Sequence, residues 1–462
     1  MASLGRNDLA GWCDAPGALA VWHIGGRRAR AQVAAKTAAS AWRGRAKKKK
    51  ERPAGSDARE LGRSTCHLGP DAQAETAMAL QCCACHPAHP ALVAGGSYSG
   101  EVYVWNVAAA AGRGSADVAG AAREVARSRI SPSSHHEPVV GVAWSPKRFD
   151  GLKGSRMEES AEHAFVLVSL GMDGKVLVWP WHKGGTMAAP IQSAALMHPQ
   201  PKTHTRIVWG GTCLAVGGGE DAFVAGTEGG AVFRCRLDPA SAATPTAAPG
   251  APTRPLPSPI KSAFAPHVGP ATSVAFSPFH RSLFMSCGSD ATLRVFDLLN
   301  HKPLAELAPT PSPLFACAWS HHRPLVFATG TADGRVLFFD LAAAAWGADG
   351  TAGPRANGGG LAKAHPVRTV RAPAREAWGP VQGSATLAEA EEGEGEGSLA
   401  YAATGGKGDG PVFSVAFNPK QATCFASGCA DGVVVWRIGP QLAESVPGEA
   451  QALETLRRRR AA

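Results

Sequence analysis

Three groups of residues in this chain carry side chains suited to chemistry. Carboxylates recur in glycine-rich turns at Asp173, Glu228, Asp290, Asp333 and Asp431, where an acid could serve in proton transfer. Cys82, Cys83, Cys85 and His86 lie close enough together to suggest a metal site. Sixteen histidines include His86, His89, His280, His321 and His322, all in or beside similar loops. Spacing argues against each. The acids return once per repeat, which suits a turn residue that accepts hydrogen bonds from its own backbone and ties neighbouring units together. In the repeat alignment Cys83 and Cys85 fall on core positions and His86 on a turn position, so the cysteines read as small buried hydrophobes. A second Cys/His pair at zinc spacing, a GxSxG elbow, a Walker phosphate loop and an HExxH pair are all lacking. The expectation is no catalytic residue, no metal and no cofactor.

The elements that carry these residues are short strands. Residues 271–297 read ATSVAFSPFHRSLFMSCGSDATLRVFD and residues 314–340 read LFACAWSHHRPLVFATGTADGRVLFFD. Further copies occupy 81–106, 138–181, 206–237 and 411–437, with a fragment, GALAVWHI, at 17–24. Each copy is strand, turn, strand, Gly-x-Asp/Glu turn and a third strand closing on an aromatic residue: Trp105, Trp179, Phe296, Phe339 or Trp436. A three- or four-stranded unit recurring every ~40–45 residues marks a WD-type propeller. The predicted fold is therefore all-β, a WD40-type β-propeller of seven blades with the first incomplete. Stacked blades cover both faces of each sheet, so apolar runs such as 433–436 need no membrane.

The expected division is a first-blade remnant at 1–26, a basic low-complexity insertion at 27–77, the propeller at 78–438 and a tail at 439–462. Stretches 238–262 and 341–409, rich in Ala, Gly, Pro, Thr or Glu, read as flexible insertions. The net charge of +10 is local. Residues 27–53 hold eleven Lys/Arg against one Glu, and Arg457 to Arg460 add four more, so the remainder is mildly acidic. The basic run reads as a solvated insertion, since no aromatic stacking platform accompanies it. Its alternative is a nuclear-localisation or RNA-binding element on a generic WD-repeat adaptor. No apolar run of ~18 residues and no secretory leader is visible, which predicts a cytosolic chain without membrane insertion.

A platform needs a docking surface. SPFHRSLF (277–284) and SHHRPLVF (320–327) place Phe279, His280, Arg281, His321, His322 and Arg323 on one rim of adjacent blades. Arginine with aromatic residues is the composition of interface anchors.

Some phrases go beyond generic WD spelling: HPAHPALVAGGSYSGEVYVWN (86–106), LVSLGMDGKVLVW (167–179), GPATSVAFSPFHRSLFMSCGSD (269–290) and PVFSVAFNP (411–419). In these the chain resembles the dynein intermediate chains, of the ciliary dynein-2 type. The resemblance implies a non-catalytic motor subunit in the cytoplasm and at the cilium or flagellum, from basal body to axoneme. It implies binding to a dynein heavy chain, a second intermediate chain, dynein light chains and intraflagellar transport particles, and no nucleic acid. Two departures are expected. No counterpart of the light-chain-binding segment precedes the first strand, and Gly-Pro at 269 and 410 replaces the Gly-His of ordinary WD repeats. The second departure predicts blades held by apolar packing more than by His-centred hydrogen bonds.

Overall fold

A computed structural model describes residues 2–4, 17–21, 72–108, 120–146, 165–181, 187, 189–199, 206–217, 222–237, 256–341, 366, 368–371, 385–389, 399–403, 410–429 and 432–458. Strands dominate, and six sheets share one radial plan. From the inside outward, Blade I is Leu80–Cys85, Leu92–Ser97, Val102–Asn106 and Arg123–Arg127. Blade II is Val139–Pro146, Phe165–Gly171, Lys175–Trp179 and Gln192–Ala195, and Blade III is Gly211–Val216, Ala222–Thr227, Val232–Arg236 and Ile260–Ala263. Blade IV is Ala271–Phe276, Leu283–Gly288, Leu293–Asp297 and Ala305–Leu307; Blade V is Leu314–Trp319, Val326–Thr331, Arg335–Asp340 and Arg368–Arg371. Blade VI runs Val412–Phe417, Cys424–Cys429 and Gly432–Arg437, then outward through Leu399–Ala403 to Ala385–Glu389. Innermost strands neighbour one another in this order.

The amino-terminal residues form a smaller sheet. Ala2–Leu4, Gly17–Val21 and Ala72–Thr76 pair antiparallel, with a two-residue parallel pairing to Gly120–Ala121. Ala2–Leu4 lies beside both Leu80–Cys85 and Gly432–Arg437, between the first and last complete blades. Among the described residues six blades are complete, and this lesser sheet stands between the last and the first of them.

The core is a set of layers between blades. Phe284 and Phe296 of Blade IV pack with Val224 and Val232 of Blade III, while Met285 and Val295 face Trp319, Phe327 and Phe339 of Blade V. The second strand of Blade IV is buried at every position on both faces. The seam beside the lesser sheet is the exception. Among the described residues that sheet has no strand inside Ala2–Leu4, and Phe413 of Blade VI is 53% exposed. Cys85, expected in the core, is exposed, and Cys83 is only half-buried.

Stretches expected to be flexible contribute strands: Ala72–Thr76 within 27–77, part of Ile260–Ala263 at the end of 238–262, and three strands within 341–409. The tail is structured too. Helices α1 (Pro440–Ala443) and α2 (Glu449–Arg458) lay Leu442 and Ala443 on the layer between Blades V and VI, and Ala452 and Leu453 on that between IV and V.

The turn before each third strand needs one residue with positive φ. Gly100, Gly174, Gly230 and Gly334 supply it in four blades; in Blade IV Ala291 does so at φ 60°. An L-residue pays roughly 1–2 kcal/mol for that conformation. Ala291→Gly is thus expected to raise the stability of the full chain by about 1 kcal/mol, read as a higher thermal midpoint; a lowered midpoint would contradict this reading of the turn.

Candidate functional site

The recurring acids sit on one face of the ring, in the turns between second and third strands. In Blade II Asp173 accepts the backbone N–H of His136 (3.2 Å) and of Lys175 (3.1 Å), joining the incoming loop to the turn. It also meets the Nδ1 of buried His135 at 3.2 Å. His135 Nε2 lies 2.7 Å from Ser169 Oγ, which accepts the Trp179 indole N–H at 2.8 Å. Ionised Asp173 can only accept, so Nδ1–H donates to it, and Nε2 of the neutral ring accepts the Ser169 hydroxyl proton. Blade IV repeats the arrangement: Asp290 accepts the N–H of Val268 (3.0 Å) and Thr292 (3.1 Å), His267 Nδ1 meets Asp290 at 3.0 Å, and Nε2 meets Ser286 Oγ at 2.8 Å. Blades II and IV therefore do carry His-centred bonds, which the Gly-Pro dipeptides do not lead one to expect. The histidines stand four residues before the innermost strand, in His-x-x-Pro rather than Gly-His.

Asp, His and Ser in this sequence of contacts are the parts of a nucleophilic triad. Here Ser169, Ser286 and His135 are 0% exposed, so no acyl group can reach the hydroxyls. The sets are ties. Burial is the largest influence on both imidazoles and holds them below the usual histidine range. For Asp173 and Asp290 burial alone would raise the carboxyl, but the hydrogen bonds and the imidazole partner outweigh it and lower both.

Other blades use fragments of this tie. Trp436 donates to Ser427 at 2.8 Å in Blade VI; Asp431 lies outside the described residues. In Blade V Asp333 accepts from Thr331 Oγ1 and pairs with Arg335 at 3.0 Å. Glu228 is exposed in Blade III, where its N–H donates to Gly210. Blade I substitutes Glu101, buried and bound by Tyr103 Oη (2.8 Å) and Arg127 (2.6 Å), a residue the turn pattern does not reveal. Trp105, Trp179, Phe296, Phe339 and Trp436 are all buried.

On the opposite face, the base, the first-to-second-strand turns share one device. Ser277, Ser320, Asn418 and His86 each accept N–H groups two or three residues on, as in Phe279 to Ser277 (3.3 Å) and Lys420 to Asn418 (2.9 Å). Phe279, Arg281 and His321 are exposed; His280 and His322 are half-buried, the former bonded to Ser282 and the latter to the Asn418 carbonyl at 3.2 Å. Burial, then the neighbouring His322, lowers the affinity of His321 for a proton.

Arg323 does not belong to this rim. It is 3% exposed, reaching Asp340 at 2.7 Å, Glu449 at 2.7 Å through Nε, and the Gln441 carbonyl. Its guanidinium fastens α1 and α2 to the base of Blade V.

The WD domain, G-beta repeat family matches residues 258–297. Cytoplasmic dynein 2 intermediate chain 2 of Mus musculus and of Homo sapiens are each 30% identical to the chain over 84% of its length and 60% of theirs. The ciliary dynein intermediate chain 2 of Heliocidaris crassispina is 26% identical over 57% of this chain and 32% of that protein. Blade order and family match make this a WD-repeat β-propeller. Within that class it is similar to dynein intermediate chains, and it spans 60% of the length of the two mammalian relatives.

Two tests follow from the geometry. The depressed imidazoles bind protons more readily unfolded than folded, so their stabilisation is present above the ordinary value of 6.5 and lost as pH falls below it. Thermal midpoints should fall on acidification from pH 7.5 to 5.5. A His135→Asn/His267→Asn variant should start lower, by about 1–3 kcal/mol for each buried site disturbed, and show a shallower acid slope. An unchanged slope would contradict neutral burial. In the second test, Arg323→Ala should cost about 3–5 kcal/mol by leaving the buried Glu449 carboxylate without its guanidinium, whereas Arg281→Ala, on an exposed turn, should stay within about 0.5 kcal/mol.

Proposed function

We propose that the chain is a non-catalytic intermediate chain of a dynein-2-type motor, acting in retrograde intraflagellar transport and cilium assembly. The observation that carries this reading is the similarity to cytoplasmic dynein 2 intermediate chain 2 over 84% of the chain. The fold supports it: the chemistry-bearing residues are spent on ties, while the base turns keep exposed side chains on a rigid frame. The propeller binds the dynein heavy chain and, with a second intermediate chain and light chains, joins the motor to intraflagellar transport particles. The working location is the cytoplasm and the cilium or flagellum. No helix of the described residues is long and apolar enough to cross a membrane.

The test is affinity purification of the tagged full chain from ciliated cells. The expected result is a dynein heavy chain recovered in roughly stoichiometric amount, with transport-particle subunits enriched. Recovery of nucleic-acid-binding proteins or RNA without any dynein subunit would overturn the reading and favour an adaptor that works through the basic stretch at 27–53.

A further inference from the structure

The base of Blade IV differs from its neighbours in a way its turns do not require. Phe279, in the first turn, is 43% exposed, and Leu299, in the loop after the third strand, is 79% exposed. The two loops are bound together by the Leu298 N–H donating to the Ser282 carbonyl at 2.8 Å, so the loops that carry the two apolar groups lie side by side. The position of Phe279 holds Ala88 in Blade I, His322 in Blade V and Lys420 in Blade VI, each in a turn tied by the same side-chain-to-N–H bonds. An aromatic residue there is not a folding requirement.

The exposed charged side chains of these two loops, Arg281 and Lys302, are both basic. The only carboxylate of the loops, Asp297, is buried and accepts the Leu299 N–H at 3.0 Å. Glu306, further along Blade IV, is paired with Arg294 at 3.3 Å. The corresponding turns of Blades V and VI, 320–325 and 418–423, hold no acid, and the second presents Lys420; the turn of Blade III carries Glu220 and Asp221, which lie outside the described residues. Acids return in the carboxyl-terminal segment at Glu444, Glu449 and Glu454, and there Arg323 engages Glu449.

We propose that the base of Blade IV is a docking site for an acidic segment of the partner protein, which buries apolar side chains against Phe279 and Leu299 and sets carboxylates opposite Arg281 and Lys302. Complementary charge steers and orients such an encounter, and the apolar centre holds it. The proposal rests on the heavy-chain reading above, so the acidic segment is assigned to the heavy chain.

Two full-length variants test it in ciliated cells, Phe279→Ala/Leu299→Ser and Arg281→Glu/Lys302→Glu. Both should keep the thermal midpoint of the parent, because the turns tolerate other residues at these sites. Both should recover at least tenfold less heavy chain, and carbodiimide cross-linking of the parent complex should join Lys302 to a heavy-chain Asp or Glu. Undiminished recovery by both variants, with the parent still recovering heavy chain, would overturn this site and leave the proposed function standing. Loss in the apolar variant alone would overturn the acidic chemistry. Binding of phosphatidylserine vesicles that both variants abolish, with heavy-chain recovery intact, would assign the patch to a membrane surface instead. A parent that recovers no heavy chain defeats the parent reading and this one together.

Discussion

A neutral imidazole sealed between two strands and a loop is the constraint on which Blades II and IV depend. In Blades II and IV, His135 and His267 each satisfy both ring nitrogens inside the protein, one against an aspartate and one against a serine hydroxyl. Buried polar atoms without partners are costly, so the three groups specify one another's positions. The aspartate also holds the incoming loop by a backbone N–H, His136 in one case and Val268 in the other. That loop delivers the next innermost strand, which fixes where the blade begins relative to its turn. Apolar layers then fill the space between blades, and strands such as Leu283–Gly288 are buried along their whole length.

This economy separates the two faces. One face spends its acids, histidines and serines on internal ties. The other closes its turns with a single side-chain acceptor per blade, at Ser277, Ser320 or Asn418, and leaves the following positions unconstrained. Part of that base is sealed by α1 and α2, which Arg323 secures through Glu449 and the Gln441 carbonyl. What remains outward on Blade IV is Phe279, Arg281, Leu299 and Lys302.

Much of the architecture was legible in the residues. Period-two apolar strands, repeated aromatics such as Trp179 and Phe296, and acids at one turn position mark the blades, because burial between sheets imposes those types. The histidine ties were not legible through a search for Gly-His: His135 and His267 stand two residues ahead of Glu137-Pro138 and Gly269-Pro270. Arg323 was misplaced because SHHRPLVF aligns with SPFHRSLF, while the helix that buries its side chain lies more than a hundred residues onward. Cys85 has a core register yet is exposed, beside a lesser sheet with no strand inside Ala2–Leu4 among the described residues. Local pattern reports the blade; long-range partners decide which of its residues meet solvent.

The central claim is that buried Asp–His–Ser sets pin the loops between blades, and hydrogen exchange at single amides tests it most directly. The Val268 side chain is 80% exposed on a loop, yet its N–H is held by Asp290 at 3.0 Å; His136, also exposed, donates to Asp173. Both amides should exchange nearly as slowly as those of the adjoining strands, since they open only when the tie opens. Exchange at both positions at the rate of an unstructured loop would contradict the account.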